Sequence, residues 1–529
     1  MTESSCRTEI WSSIARNCPA GTRAPYRSAP KPWAARASRL AVPADIACIL
    51  PSPRSAGSHF TPTLLRCSKQ RQGKPSTGIL HSISVSRLYF LRHDFSVTRL
   101  QVNGTRQLDA ALRLDGGKHS FAHCLATAAL SSTGTLHNVP GHIDAAALRK
   151  ALELIFEEVG HESGVLRFAA PRSPRRVVLR RELTARSRSL FCLLPALLHH
   201  AGEVVIEASP VGCLIGDRPF DWYVDILRRF GATVDDGDRT TTIEWRRRTP
   251  ADIDFRYPPM TGTVIAVAAA AVAPGRSVLT NCSVEPSCAD QIDCARGQGI
   301  TIAGTLPEVV IEGSEQAPER VGWTISSDRI HAVTYATAAL LTRGRVTLRS
   351  MDALRIPRFL AVVEEMGAEV SECPGRLTVG YPPGSGPLRA VRIEAGSEPR
   401  FSSDWIPFVA LLLAARSKGS SEISDDVFPR RLQFLRNLGP LGIPAPPERT
   451  TPSGSRSSTT WTVGGVPDLT LRAASLGSCD DIRGSAALAL AGLISDGVCT
   501  LEQTFHLRRG YTDLARDLRS LGAEAEYVA

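Results

Sequence analysis

The chain has 529 residues, 43% of them hydrophobic, with a formal net charge of +10 and a pI near 9.1. That length and apolar content support two or more domains with substantial cores. The surplus of charge would suggest nucleic acid or a membrane surface as partner, but its distribution excludes both for the folded part: residues 1–96 hold 14 Lys/Arg and 4 Asp/Glu, whereas 97–529 hold 48 of each.

Residues 1–96 are rich in Ser, Arg, Pro and Ala, lack sustained periodicity, and are expected to be a disordered basic tail. They are acid-poor like a transit peptide, yet hold no signal-peptide apolar core, and the run Ile46 to Pro51 is too short to span a membrane. No methionine lies between Met1 and Met260 to mark an internal start. The favoured reading is a start near Val97, with the tail as upstream sequence. Thirteen cysteines, an odd count without paired spacing, suit a reducing cytoplasm. Cys282, Cys288 and Cys294 recur every six residues, but no CxxC or clustered histidine accompanies them. Small apolar packing is expected there, and no metal site.

From residue 118 onward one pattern recurs six times: an Ala/Leu-rich helix, a short turn that usually holds glycine, and a strand. The copies are CLATAALSSTGTLHNV, CLLPALLHHAGEVVIEA, AVAAAAVAPGRSVLTNC, YATAALLTRGRVTLRS, FVALLLAARSKGSSEIS and SAALALAGLISDGVCTLEQ. Each is followed by a second predicted helix ending at a glycine: Gly160, Gly231, Gly299, Gly367, Gly439 and Gly522. Helical spacing of Leu360, Val363 and Met366 ahead of Gly367 supports that reading. Six such modules predict a pseudosymmetric α/β protein, three modules to each half, with Ala-rich helices inside and sheets outside.

Between the second strand pattern and the helix that follows lies PVGCLIGDRPFDWY, Pro210 to Tyr223. Its thiol, Cys213, is flanked by Gly212 and Gly216 and followed by Arg218; a nearby guanidinium favours thiolate, and the glycines let the loop approach a ligand. An isolated cysteine is more often inert packing.

This stretch resembles the catalytic loop of UDP-N-acetylglucosamine enolpyruvyl transferases, whose pattern is a cysteine followed by x-I-G-x-R-P-x-D; Cys213, Ile215, Gly216, Arg218, Pro219 and Asp221 match. The resemblance implies a two-domain inside-out α/β barrel of six βαβαββ units. Domain one would span 118–327 and domain two 328–529, with 97–117 supplying the first strand of domain two and the active site lying in the cleft between. It further implies transfer of the enolpyruvyl group of phosphoenolpyruvate to a hydroxyl, which needs a base, an acid for C3 and cations for a phosphate and a carboxylate.

On the same resemblance Cys213 is the acid, and Asp404 in RFSSDW, with Ser403 for the family's threonine, takes the acceptor proton. Lys118 in GGKHS, Arg431 and Val427 in VFPRRL, Asp481 and Arg483 in DDIRGSAA, and Arg509 in HLRRGY match further motifs. Arg188 is carried over because Arg186 and Arg188 bracket the aligned position, Ser187. A bland alternative for Asp404 is a helix N-cap.

The departures cluster at the acceptor. His119 replaces an asparagine, Tyr223 a histidine, Pro429 a glutamate and Arg508 an aspartate. Pro258 falls near an expected diphosphate-binding lysine, and Met260-Thr261-Gly262 stands where S-V-G is expected. Such changes alter which ligand groups can be hydrogen-bonded. The resemblance therefore points to the UMP enolpyruvyl transferases of nucleoside-antibiotic pathways, with the sugar-nucleotide enzyme of peptidoglycan synthesis as the alternative and an inactive binding paralogue as a third reading. Shikimate-type transferases share the fold but lack the cysteine loop. The implied partners are phosphoenolpyruvate and a uridine nucleotide, with no organic or metal cofactor, no nucleic acid or membrane, and a cytoplasmic monomer.

Overall fold

The computed structural model describes residues 98–529 except 106, 209–211, 214, 216–219, 238–239, 429, 454–455 and 478. The basic tail, Arg218, Pro219 and Pro429 lie outside the described residues.

In chain order the first repeat supplies α1 (Lys118–Ala128) and α2 (Ile143–Leu152), and the second α3 (Leu194–Ala201) and α4 (Asp221–Arg229). The third and fourth supply α5 (Met260–Val272) with α6 (Pro286–Gly297), and α7 (Arg329–Leu341) with α8 (Pro357–Met366). The fifth holds α9 (Ile406–Arg416) and the sixth α10 (Ile482–Ala491) with α11 (Leu514–Ser520). The six leading helices are the Ala/Leu-rich copies, and each runs into a strand as the pattern predicts. Helices that are apolar all round must be buried all round. Every residue of α7 and of α9 is accordingly buried. The strands that follow alternate instead: Thr133–His137 and Arg345–Arg349 each bury only their second and fourth residues fully, so one face packs inward and the other meets water. Helices inside and sheets outside make this an inside-out α/β barrel fold.

Among the described residues the strands form six sheets. In one, Arg320–Thr324 returns to pair in parallel with Thr133–His137, so the third repeat closes onto the first. In another, Asp109–Arg113 lies parallel to Arg345–Arg349, with Ala110 opposite Val346. Arg99–Asn103 sits antiparallel between Val498–Leu501 and Ala525–Val528. Buried apolar side chains fall into two clusters: one draws on Phe121 to Ile325, the other on Leu100 to Leu114 and Ile330 to Ala525.

The second helices correct the sequence reading in two places. Gly231, Gly299, Gly367 and Gly522 follow their helices with positive φ, and Gly367 at +108° caps α8. Gly160, however, lies inside the strand Phe156–Glu162, because α2 has already ended at Leu152. Gly439 lies inside a 3-10 segment, Arg431–Leu441, whose left-handed cap is Gly442. Pro440 removes a backbone donor there, which disfavours a regular α-helix.

Two crossovers join the cores beside the starts of α1 and α7. Gly117 N donates to Ser326 O at 2.8 Å, and Lys118 N to Asp328 Oδ2 at 3.1 Å. Asp328 also caps α7 through Ile330 N and His331 N, so one buried carboxylate fixes both helix starts.

Candidate active site

The first turn of α1 carries Lys118 and the first turn of α2 carries Asp144, both buried. Lys118 Nζ lies 2.5 Å from Asp144 Oδ2, and Arg509 Nε donates to Asp144 Oδ1 at 3.0 Å. Arg509 follows a short helical turn, Phe505–Arg508, so this triad spans the two cores. Burial disfavours the Asp144 anion, but Arg509 and Lys118 outweigh it and hold the carboxyl below its ordinary range. Burial pulls the Lys118 ammonium down, and the cations Arg509 and Arg483 add to the effect while Asp144 opposes it. Two cations thus share one buried anion, a setting in which a further anion is favoured.

Beside it, Arg431 donates Nη2 to Asp404 Oδ1 at 2.7 Å and Nη1 to Asp481 at 3.2 Å. Asp481 caps α10 by accepting from Gly484 N at 3.0 Å. Arg483, one residue into that helix, reaches Asp404 Oδ2 at 3.7 Å and leaves Nη1 without a hydrogen-bond partner. Asp404 sits in the 3-10 turn Ser403–Trp405 that leads into α9 and does not cap it, so the bland reading of this residue gives way to an ion pair. Burial pushes its carboxyl up, yet Arg431 and Arg483 prevail and hold it below the usual range.

Cys213 is partly buried against the second core, although its helix neighbours α3 and α4 belong to the first. Its sulfur lies within electrostatic reach of Arg431 and Arg509. Ile215 O accepts from Arg430 N at 3.2 Å, which ties the loop to the segment holding Val427 and Arg431. Val427 N donates in turn to Asp425 Oδ1 at 2.8 Å, and Asp425 receives Ser403 Oγ at 2.5 Å. Lys118, Cys213, Asp404, Arg431, Asp481, Arg483 and Arg509 therefore converge through direct contacts or electrostatic reach.

The remaining positions lie further out. Asp221 opens α4 and is exposed. Arg188 lies 5.5 Å from the ring centres of both Phe191 and Tyr223. Thr261 and Gly262 form the first turn of α5. Just before that helix, Tyr257 and Pro258 face Ser397, Glu398, Pro399, Arg400 and Asp426 across a cavity of about 420 Å³. Arg400 holds Asp426 at 2.9 and 2.7 Å. His119 lines a smaller buried cavity with Lys118, Arg329, Arg355 and Arg483.

Sequence motifs missed Asp144 and the buried group Glu285, Arg329 and Glu398. Arg329 donates Nη1 to Glu398 at 2.7 Å and pairs Nη2 with Glu285, while its guanidinium stands 4.9 Å over the Trp405 ring. Asp290 similarly holds Arg355 in a two-pronged pair at 3.1 and 2.7 Å. The only local signal was an acid or arginine at a helix start. Cys282, Cys288 and Cys294 are buried, and the described residues contain no group of His, Cys, Asp or Glu able to hold a metal ion.

The sequence profile of the EPSP synthase (3-phosphoshikimate 1-carboxyvinyltransferase) family matches residues 102–518. UDP-N-acetylglucosamine 1-carboxyvinyltransferase 1 of Halalkalibacterium halodurans is 31% identical over 443 residues, 81% of this chain and 94% of the relative. The corresponding enzyme of Chloroherpeton thalassium is 30% identical over 431 residues, 80% and 96%. Among solved structures, the enolpyruvyl transferase NikO from Streptomyces tendae superimposes with a TM-score of 0.69 at 26% identity, covering 82% of this chain and 99% of that one. EPSP synthase from Acinetobacter baumannii shares the fold, with a TM-score of 0.60 at 16% identity and 82% and 100% coverage.

Proposed function

The chain belongs to the EPSP synthase family and is an enolpyruvyl transferase, and we propose that it moves the enolpyruvyl group of phosphoenolpyruvate to the 3'-hydroxyl of UMP with release of phosphate. In this reading residues 118–327 form one domain, 97–117 and 328–529 the other, and the substrates meet between them. Lys118 and Arg509, which share Asp144, receive the phosphate, and Arg431 and Arg483 receive the carboxylate. Cys213 supplies the proton to C3, Asp404 faces the acceptor hydroxyl, and Asp221 at the start of α4 serves the uracil.

The observation that carries the choice of acceptor is the wall before α5. It presents Tyr257 and Pro258 to the outer cavity, neither of which is charged, where the resemblance leads one to expect a lysine for a sugar diphosphate. Arg400, which also lines this cavity, is already paired with Asp426, and a half-buried diphosphate without a free cation is penalised. A mononucleotide asks for less charge at this wall. The second reading, UDP-N-acetylglucosamine as acceptor, is favoured by the sugar-nucleotide relatives at 30% and 31% identity.

Phosphate release is to be followed with phosphoenolpyruvate and each nucleotide separately, with Cys213→Ala as control. Release with UMP alone supports the proposal. Release with the sugar nucleotide alone refutes the choice of acceptor and leaves the reaction standing.

A further inference from the structure

Arg329 opens α7, and its buried guanidinium meets three separate segments. Nη1 donates to Glu398 at 2.7 Å, on the loop that lines the outer cavity. Nη2 pairs with Glu285, which lies between the first-core residues Cys282 and Cys288. Its Cζ stands 4.9 Å over the centre of the Trp405 ring. Trp405 directly follows Asp404 in the turn Ser403–Trp405.

Two buried acids exceed what one cation needs for charge balance, since Glu398 alone would neutralise Arg329. The second acid therefore fixes where the guanidinium stands. Glu285 occupies the N-cap place of α6, yet its carboxylate caps nothing there and turns to Arg329 instead. Trp405 is fully buried, and among the described residues its indole N–H has no hydrogen-bond partner. Its place is set by packing: Arg329 over the ring, with Phe401 and Phe359 edge-on at 5.3 and 6.3 Å.

We propose that Arg329 is a positioning residue for the transfer step: gripped by Glu285 from the first core and Glu398 from the second, it braces the Trp405 ring and so holds Asp404 in place when the cores are docked. Asp404 also lies within electrostatic reach of the Arg329 charge. The inference rests on Asp404 facing the acceptor hydroxyl and holds for either nucleotide.

A neighbouring pair supplies the contrast. Asp290 in α6 holds Arg355 at 3.1 and 2.7 Å and accepts from Ser326 Oγ at 3.0 Å. Those bonds also join the cores, but they do not pass through Trp405.

The test measures kcat and KM for Glu285→Ala, Arg329→Lys and Asp290→Asn, each first shown by thermal melting to be folded, with whichever of UMP and UDP-N-acetylglucosamine the wild type turns over. Glu285→Ala leaves Arg329 neutralised by Glu398 and strands no buried charge. Arg329→Lys keeps the charge but loses the planar fork that meets both acids. Both should lower kcat about 10–10²-fold with KM for phosphoenolpyruvate within a few-fold, while Asp290→Asn keeps kcat within about threefold of wild type. Wild-type kcat in Glu285→Ala or Arg329→Lys, or an equal loss in Asp290→Asn, overturns the proposal. A second arm needs no acceptor: crystal structures of wild type and Glu285→Ala, each with phosphoenolpyruvate. The expected result is withdrawal of the guanidinium from the Trp405 ring and a shift of the Asp404 carboxylate by about 1 Å. An unmoved Asp404 overturns the proposal. Should neither nucleotide be turned over, the choice of acceptor falls and this arm alone decides.

Discussion

The inner and outer parts of the cleft are built on different principles. Inside, Lys118 and Asp144 are 8% and 1% exposed, and every acid of the cluster serves a cation from another segment. At the mouth the corresponding pair, Arg400 and Asp426, is 46% and 31% exposed and stands alone between Tyr257, Pro258 and the backbone around Pro399. Charge that must stay buried is over-determined by partners, so motif residues there are hard to change one at a time. Charge at the mouth is screened by water and weakly held, so substitutions there do not endanger the fold.

Acidification should break the inner part first and by the largest amount. Burial lowers His123, His142 and His506 to about 3, and His142 Nδ1 accepts from Ala145 N as the cap of α2, which requires the neutral ring. A group whose folded pKa is depressed binds more protons when unfolded, so stability is full above about 6.5 and is lost as pH falls towards 3. Each such histidine removes on the order of 1 kcal/mol per pH unit in that window. Glu285 and Asp425, whose carboxyls burial pushes up, oppose the trend. Denaturant unfolding from pH 7 to pH 4 should show a steep loss; constant stability would mean that these rings are not buried neutral.

Asp144→Asn should come next, because it leaves Lys118 and Arg509 together without their anion. The expected loss is about 3–5 kcal/mol in unfolding free energy, read from urea curves, with phosphate release reduced as well. A loss below about 1 kcal/mol would place the pair in water.

Arg400→Ala at the mouth should be the mildest change. Stability should fall by less than about 1 kcal/mol, while KM for the acceptor moves and KM for phosphoenolpyruvate does not. Equal movement of both constants would erase the distinction between the two parts.

The sequence made legible what is local. Six apolar helix patterns mark the six buried helices, and short motifs mark Lys118, Cys213, Asp404, Arg483 and Arg509. Asp144 was invisible because its partner Arg509 lies 365 residues away and no periodicity connects them. Arg329 escaped similarly, since Glu285 and Glu398 come from different cores. Gly160 and Gly439 misled because a regular period assigned them to helix ends, whereas a hairpin strand and a proline-containing 3-10 segment occupy those places.

On the proposed reading, the inner part keeps the phosphoenolpyruvate chemistry while the mouth selects a smaller nucleotide. The decisive reaction mixes phosphoenolpyruvate with UMP and UDP-N-acetylglucosamine at equal concentration and resolves the products by mass spectrometry. Enolpyruvyl-UMP should be the dominant product. Dominance of the enolpyruvyl sugar nucleotide would refute the proposed acceptor.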